Sequence, residues 1–467
     1  MELDAQFFQT TLGGGTWGAG AFRGAVTGFS QDTRRIVSGN CFVALKTSKR
    51  DGHDFLEDAR ANGAIVALVS RYQPSCELPQ FVVKDAGRGL QLLAKRHRER
   101  FVNKLVGITG SAGKTSTKNL IASLLGDGVC ATSGNLNNTL GVPLSLLRLR
   151  KENSFGVFEA GIDRPGEMDI LAEMIQPDIG VVTLIAEAHL ERLGSLDGVA
   201  REKVKILQGI SSDGLAIFTE GCYQYEDFKR LDCPAWVVTR DPSMNLESVR
   251  QTRVPYWTET TNIQYGGVRV CISGPLRSLS KFDLPAMSQG MIENAVLAIL
   301  VAQYLGVADP AIQERLSAWQ AADQRGQWVK GADRNVYVDC YNANPASMID
   351  SAKFFDRSTQ DSPSRTYILG TMNELGEDAS RLHREVASQL PVGPSDRVFC
   401  VGAEAEAMRD GILDKMPLFD NIANYVDVES MSEDWLKLSG EIFLKGSRGL
   451  KLEALLELEV EEKGAAC

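Results

Sequence analysis

Gly113, Lys114 and Thr115 stand side by side in the stretch T-G-S-A-G-K-T, Thr109 to Thr115, with Ser116 following. Residues of these types in this order suit one chemistry, the holding of a polyphosphate. Gly110 and Gly113, with the small Ser111 and Ala112 between them, let backbone N–H groups turn toward an anion, and a helix N-terminus adds partial positive charge. Lys114 supplies a mobile full charge, and Thr115 places a hydroxyl where a nucleotide-bound Mg²⁺ takes an oxygen. The common P-loop has a further glycine five residues before Gly113, where this chain has Ile108, so the loop is a shorter variant. Glu159 offers a carboxylate for Mg²⁺, and His189, one of only four histidines, offers an imidazole. Because magnesium rarely prefers nitrogen, a capping or core histidine is an equally good reading of His189.

The elements that must position these groups show in the apolar spacing. Leu105 to Ile108 is a short apolar run, strand-like, and Leu120, Ile121, Leu124 and Leu125 fall at helical spacing after the loop. Phe155–Phe158 runs into Glu159, Ile179–Ile185 runs into Ala186-Glu-Ala-His189, and Leu215–Thr219 follows. Strands alternating with helices predict a parallel, doubly wound sheet, with ligands at the carboxyl ends of its strands. Lys114, Glu159 and His189 each follow such an end, so the three can converge on one crevice.

On either side lie two further α/β units, giving three domains: residues 1 to about 100, 101 to 320 and 321 to 467. The first is a small α/β domain with strands at Cys41–Leu45 and Ala64–Val69 and a helix over Phe55–Asn62. Its polar clusters, Ser30-Gln-Asp32-Thr-Arg34 and Lys49-Arg-Asp51-Gly52-His53-Asp54, read on composition as solvated turns. A basic helix over Gly87–Phe101, carrying K-R-H-R-E-R, is expected to show its charge to solvent. In the third unit Val336–Asp339, Thr366–Leu369, Val398–Val401 and Ile442–Leu444 each end in a polar or glycine turn, a Rossmann-like layout. It contains no G-x-G-x-x-G, so a dinucleotide is not expected.

Composition narrows the classes. A net charge of −10 argues against a nucleic-acid binder, which needs a basic face. Nine scattered cysteines without a C-x-x-C pair suit a reducing, cytoplasmic setting and neither a zinc site nor a disulfide frame. M-E-L-D-A-Q-F-F lacks the features of a signal peptide, and no apolar run reaches membrane-spanning length.

Taken together, these motifs resemble those of the Mur ligases of peptidoglycan synthesis, over essentially the whole chain. The carriers are S-Q-D-T-R, F-V-A-L-K and D-G-H-D-F in the first unit. The second has T-G-S-A-G-K-T, G-N-L-N-N-T-L-G-V-P (Gly134–Pro143) and A-E-A-H-L-E-R-L-G-S-L-D-G-V-A-R-E-K (Ala186–Lys203), and the third has Y-N-A-N-P, N-E-L-G and K-G-S-R-G. The G-N-L-N-N, H-L-E-R-L-G-S and Y-N-A-N-P set is most similar to the branch that adds D-alanyl-D-alanine to a UDP-N-acetylmuramoyl tripeptide. Within the family the alternative is the branch adding the third amino acid, or a poly-amino-acid ligase; outside it, a silent nucleotide-binding regulator.

The resemblance implies a three-domain ligase, monomeric and in the bacterial cytoplasm, that uses ATP and Mg²⁺ to make an acyl phosphate. It implies that Lys114 bridges the transferred phosphate, that Thr115 holds one Mg²⁺, and that Glu159 and His189 lie near a second. Lys203 matches the family's carbamylated lysine; without the resemblance it reads as a surface lysine in R-E-K-V-K. Ser30, Asp32, Arg34 and the Asp51-Gly52-His53 cluster would contact the UDP-sugar. Asn294 would face adenine, Arg325 and Asp339 would close over ATP, Asn137 and Asn138 would line the muramoyl-peptide path, and Asn342, Asn344 and Pro345 would shape the dipeptide pocket. Three departures stand out: S-Q-G-M (Ser288–Met291) for G-x-H-N, Thr371 for an aspartate, and Glu159-Ala-Gly161 for E-L-G.

Overall fold

The central sheet holds the strand Leu105–Thr109 third from one edge, between Ile179–Val182 and Phe155–Glu159, and the rest of the chain is arranged around it. The computed structural model describes all residues except 1, 19, 242, 245–252, 264–265, 275–276 and 459–467. In that sheet the nine strands run in the order Arg277–Leu284, Val268–Gly274, Arg253–Asn262, Ala235–Thr239, Leu215–Thr219, Ile179–Val182, Leu105–Thr109, Phe155–Glu159 and Val129–Ala131. The seven from Arg253–Asn262 to Val129–Ala131 are mutually parallel. Leu105–Thr109 is buried at every position, as a strand covered on both faces must be. Val268–Gly274 and Arg277–Leu284 add an antiparallel meander that the expected all-parallel sheet did not include. Val268–Gly274 alternates buried with more exposed positions, the period-two signature of a sheet edge wetted on one face.

Helix Lys114–Leu125 packs beneath this sheet against Gln289–Tyr304, whose residues from Asn294 to Gln303 are all buried. Leu120, Ile121 and Leu124 share one core with Ile292 and Ala295–Ala302. A helix so enclosed is a rigid floor for the loop that precedes Lys114.

The first domain is a five-stranded sheet, ordered Thr16–Gly18, Gln80–Val82, Val66–Val69, Asn40–Val43 and Gly28–Ser30, with only Thr16–Gly18 antiparallel. The expected helix over Phe55–Asn62 is a 3₁₀ turn, Gly52–Phe55, followed by Leu56–Ala61. The basic helix, Ala86–Arg98, departs from expectation: its charges are not simply solvated. Arg98 is 8% exposed and donates to the carbonyls of Ile175 (2.9 Å) and Gln176 (2.7 Å) and to Asp178 (3.1 Å). His97 is fully buried and its Nε2 meets the Leu149 carbonyl at 2.9 Å. Helix Glu167–Ile175 ends beside Arg98, and its last carbonyls, lacking intrahelical partners, find a guanidinium. One apolar core consequently runs from Leu3 through Phe101 and Leu105 to Val237, so the expected boundary near residue 100 divides sheets but not packing.

The third sheet has six strands, ordered Gln327–Lys330, Arg334–Val338, Gly440–Lys445, Arg365–Gly370, Arg397–Val401 and Ile422–Tyr425, all parallel except Gln327–Lys330. The four expected strands are present. Gln327–Lys330 and Ile422–Tyr425 were not expected, being short and only half-buried at the two edges. Among the described residues no helix is long and apolar enough to cross a membrane, and the eight described cysteines are free.

Candidate active site

The loop after Leu105–Thr109 is built as its residue types require. Thr109 Oγ1 donates to the Ala160 carbonyl at 2.7 Å, tying the strand end to the residue after Glu159. Ser111 bonds the Ala186 backbone through both its donor and its acceptor (2.9 and 3.0 Å). A Cβ on Gly110 would sit 1.9 Å from Thr183 Oγ1, so no larger residue fits there. Gly113 opens helix Lys114–Leu125 at φ 78°, and a Cβ on it would come within 2.5 Å of Asn294 Oδ1. The left-handed backbone alone costs a non-glycine residue about 1–2 kcal/mol. Gly113→Ala is therefore expected to lower the unfolding free energy by about 2 kcal/mol or more, read as a urea midpoint shift at unchanged slope. An unchanged midpoint would show that the loop relaxes freely.

Lys114 curls back over the loop, its Nζ donating to the Gly110 carbonyl at 2.8 Å. Burial pushes its amine below the ordinary lysine value; Glu159 and Glu374 oppose this and Arg325 adds to it. Glu159, 1% exposed, ends Phe155–Glu159 with both carboxylate oxygens engaged. Thr115 Oγ1 donates to Oε2 at 2.8 Å and Asn137 Nδ2 to Oε1 at 2.7 Å. Its N–H donates to Thr132 Oγ1 at 3.0 Å, while buried Lys118 donates to the Thr132 carbonyl at 2.8 Å. The sequence reading passed over Lys118, although it lies one helical turn from Lys114 and hence on the same face.

His189 heads the short helix Leu190–Leu193 in a left-handed conformation, φ 56°, without capping it by its side chain. It lines the cleft, and its Nδ1 lies 2.5 Å from Oε2 of Glu374 in the third domain, at an angle too oblique for a standard hydrogen bond. Lys203 is the largest surprise. The surface reading of R-E-K-V-K fails, for Lys203 is fully buried at the end of Leu196–Lys203 and its Nζ has no hydrogen-bond partner. Burial holds its amine far below the ordinary value, and the charge of Lys114 lowers it further. It does not line the cleft itself.

The opposite wall comes from the third domain, and the two enclose about 810 Å³. Arg325 stacks its guanidinium over the Tyr341 ring at 3.9 Å. Asp339 Oδ2 accepts from Lys445 Nζ at 2.6 Å and from Ser351. Lys445, 1% exposed, also reaches the carbonyl of Asn342 (3.4 Å), so it pins the turn Asp339–Pro345. Asn344 caps helix Pro345–Ser358 in a capping box with Ser347, and its Nδ2 donates to the Ser111 carbonyl at 3.3 Å. The third domain thus touches the phosphate loop itself. Ser111, Ala112, Gly113, Lys114, Thr115, Ser116, Asn137, Asn138, Glu159, His189, Asn294, Arg325, Asp339, Asn342 and Asn344 all line this one cleft. Lys445, Tyr341 and Glu374 were missed as site residues, though each sits in a turn whose motif (K-G-S-R, Y-N-A-N-P, N-E-L-G) was visible.

The first-domain candidates do not reach that cleft. Ser30 Oγ bonds the Asp32 backbone, and Arg34 makes a two-pronged pair with Asp32 (2.9 and 2.7 Å), whose carboxyl is held down to about 2 chiefly by that pair. His53 is buried: its Nδ1 meets Asp51 at 2.6 Å and its Nε2 accepts the N–H groups of Ser70 and Arg71. Both ring nitrogens are used, so His53 shapes its turn and has none to spare for a ligand. A Cβ on Gly52 would lie 2.7 Å from the Leu45 nitrogen. Among the departures, Ser288 caps Gln289–Tyr304 and Gly290 N–H donates to Asp350 at 3.0 Å, while Thr371 Oγ1 bonds the Val401 carbonyl away from the cleft.

Over 97% of its length this chain is 30% identical to the UDP-N-acetylmuramoyl-tripeptide–D-alanyl-D-alanine ligase of Escherichia coli, covering 97% of that protein. Residues 108–302 match the Mur ligase middle domain, and residues 324–448 match the Mur ligase glutamate ligase domain. The chain belongs to the Mur ligase family. A second Mur ligase of the same name, from Haemophilus influenzae, is 30% identical over 91% of this chain and 92% of its own. The crystal structure of MurF from Acinetobacter baumannii superposes with a TM-score of 0.82 at 28% identity, covering 98% of each chain. The Mur ligase match accordingly spans both walls of the cleft.

Proposed function

We propose that this protein is the ATP-dependent ligase that joins D-alanyl-D-alanine to a UDP-N-acetylmuramoyl tripeptide in peptidoglycan precursor synthesis, through an acyl phosphate. The observation that carries the proposal is that one cleft brings the phosphate loop of the central domain against the Asn342–Pro345 turn of the third. The relatives that cover nearly the whole chain and carry this activity in their names support the choice of substrates.

Transfer of a phosphoryl group between two anions is mainly a matter of positioning and charge neutralisation. The backbone of Gly110–Thr115 and the start of helix Lys114–Leu125 hold the nucleotide's phosphates, and Lys114 exchanges the Gly110 carbonyl for the transferred group. Ser116 closes this cradle, while Asn294 faces the adenine beside Gly113. Arg325, held flat on Tyr341, and Asp339, held by Lys445, close over ATP from the third domain. Asn137 and Asn138 line the path of the muramoyl peptide. Asn342 and Asn344 orient the dipeptide so that its amine meets the acyl carbon. Ser30, Asp32 and Arg34, with Asp51 and Gly52 in the turn that His53 shapes, hold the UDP-sugar at a distance from this chemistry.

The donors fit Mg²⁺. Among the described residues no group of three His, Cys, Asp or Glu side chains gathers to cage a metal, and Mg²⁺ is ordinarily held by one or two carboxylates with substrate phosphates and water. Thr115 and Glu159 are hard oxygen donors in contact beside the loop, and His189 lies on the same cleft. When bound, the ion neutralises charge on the phosphates. Lys203 fits the family's carbamate: a buried amine without a partner, kept neutral by its surroundings, adds CO₂ at Nζ, loses one proton and becomes an anion with two oxygens. Every group named comes from one chain, so a monomer suffices, and the use of ATP and a UDP-linked precursor suits the bacterial cytoplasm.

Phosphate release from purified protein and ATP tests the assignment. Release is expected only when UDP-muramoyl tripeptide and D-alanyl-D-alanine are both present. Release with a UDP-muramoyl dipeptide and a free amino acid would overturn it.

A further inference from the structure

The N-E-L-G turn, Asn373–Gly376, has no part in the mechanism above, yet it is the place where the third domain meets His189. Four observations converge on it. Glu374 stands at φ 67° and His189 at φ 56°, two of only five non-glycine residues with positive φ among the described residues. A non-glycine residue is held there only when its surroundings over-determine it, and such positions gather at functional sites. The Glu374 carboxylate reaches to 2.5 Å from His189 Nδ1 across the domain boundary. Beside this contact, Leu190 packs on the third-domain core that contains Leu375, and a Cβ on Gly376 would lie 3.2 Å from Glu191 Cα. The turn is anchored from behind, with Met372 N–H donating to His383 Nε2 at 2.7 Å and Asn373 N–H to Ser447 Oγ at 2.9 Å.

We propose that Glu374 is a positioning residue: when the third domain is closed, its carboxylate fixes His189 as the Nδ1–H tautomer and leaves the Nε2 lone pair for the cleft. The carboxylate lies off the ring's N–H axis, but at that distance its negative charge beside a bare Nδ1 lone pair would be repelled, whereas an Nδ1–H is attracted, so the protonated Nδ1 is the favoured form. A carboxylate on one ring nitrogen sets the tautomer and the orientation of the ring, which is how histidines are prepared to meet a ligand. Because Glu374 and His189 belong to different domains, this preparation exists only in the closed arrangement. The inference rests on the ligase reading for its consequence in catalysis, but not for its geometry.

The other three histidines serve as internal standards. His53 and His383 each accept backbone N–H groups at Nε2 and are held as Nδ1–H, whereas His97 meets a carbonyl at Nε2 and is held as Nε2–H. In selectively ¹⁵N-histidine-labelled protein at pH 8.5, with ATP added to close the third domain and Mg²⁺ left out, His189 is expected to give the Nδ1–H pattern, and Glu374→Gln is expected to abolish that preference while the other three stay unchanged. An Nε2–H, imidazolium or mixed pattern for His189 in the unsubstituted protein overturns the proposal.

Kinetics provide the second arm. Glu374→Gln is expected to lower kcat about ten- to a hundredfold, the usual loss for a partner of a ligand-binding histidine. It should leave the KM for ATP within about threefold, within the ordinary scatter of single contacts. The double variant with His189→Gln should be no slower than His189→Gln alone, because Glu374 acts through that ring. Multiplying losses, or an undiminished kcat in Glu374→Gln, would overturn it. If the unsubstituted protein shows no dipeptide-dependent phosphate release, the ligase reading fails while the ¹⁵N spectra still decide the role of Glu374.

Discussion

Lys114→Ala is expected to lower turnover about a hundred- to a thousandfold, the loss of a charge that follows the transferred phosphate in a site largely shut off from water. A single donor aimed at developing negative charge is worth about 3–4 kcal/mol in such a place. The geometry sharpens the expectation. Lys114 Nζ now donates to the Gly110 carbonyl, a neutral partner that it can release without leaving a buried charge alone. Its amine is lowered by burial, so a phosphate is a far better partner than the carbonyl. Affinity for the UDP-tripeptide, measured by equilibrium titration, should change little, since Asp32, Arg34 and the Asp51–His53 turn lie apart from this cleft. A variant with more than a tenth of the original turnover would remove Lys114 from the mechanism.

Lys203→Ala is expected to be nearly inactive and to recover part of its activity in formate or acetate. The side chain is fully buried and its Nζ makes no hydrogen bond, so the ordinary ammonium form would sit uncompensated in the interior, at a cost of several kcal/mol. A neutral amine avoids that cost and is the form that takes up CO₂. Truncation to alanine removes the anion and opens room for a small carboxylate. Lys203→Met is the control: it fills the same volume, carries no charge and offers no such room. Provided circular dichroism shows it folded, Lys203→Met should be as inactive as the alanine variant and should not respond to formate. Protein equilibrated with ¹³C-bicarbonate should show a carbamate carbon signal that Lys203→Met lacks. A methionine variant with near-original activity would mean that Lys203 only fills space.

The parts of this protein that could be read in its residues are those governed by short-range rules. Gly110 and Gly113 flank a loop because only glycine tolerates what the structure shows there, a neighbour that would lie 1.9 Å from any Cβ in one case and φ 78° in the other. Strand, loop and helix from Leu105 to Leu125 follow from apolar spacing, and Glu159 and His189 could be suspected because each follows the end of an apolar run. The edge strands Gln327–Lys330 and Ile422–Tyr425 escaped because short, half-buried segments carry little pattern. The meander Val268–Gly274 and Arg277–Leu284 had its alternation in plain view, but alternation does not say which sheet a strand will join.

Charge was where local reading failed. Arg98 in K-R-H-R-E-R and Lys203 in R-E-K-V-K both looked like solvated lysines and arginines among their neighbours. Arg98 is instead bonded to the carbonyls at 175 and 176, and Lys203 is sealed without a partner. The chain by itself determined which backbone could turn around a phosphate, which segments would be strands and helices, and which side chains with useful chemistry stood at their ends. Only the tertiary structure decided which of those side chains share a cleft, that His53 spends both nitrogens within its own domain, that Glu374 faces His189, and that Lys203 is dry. The reason is physical: backbone conformation answers to the few residues on either side, whereas the state of an ionisable group answers to solvent exclusion and charge, supplied here by segments up to hundreds of residues away.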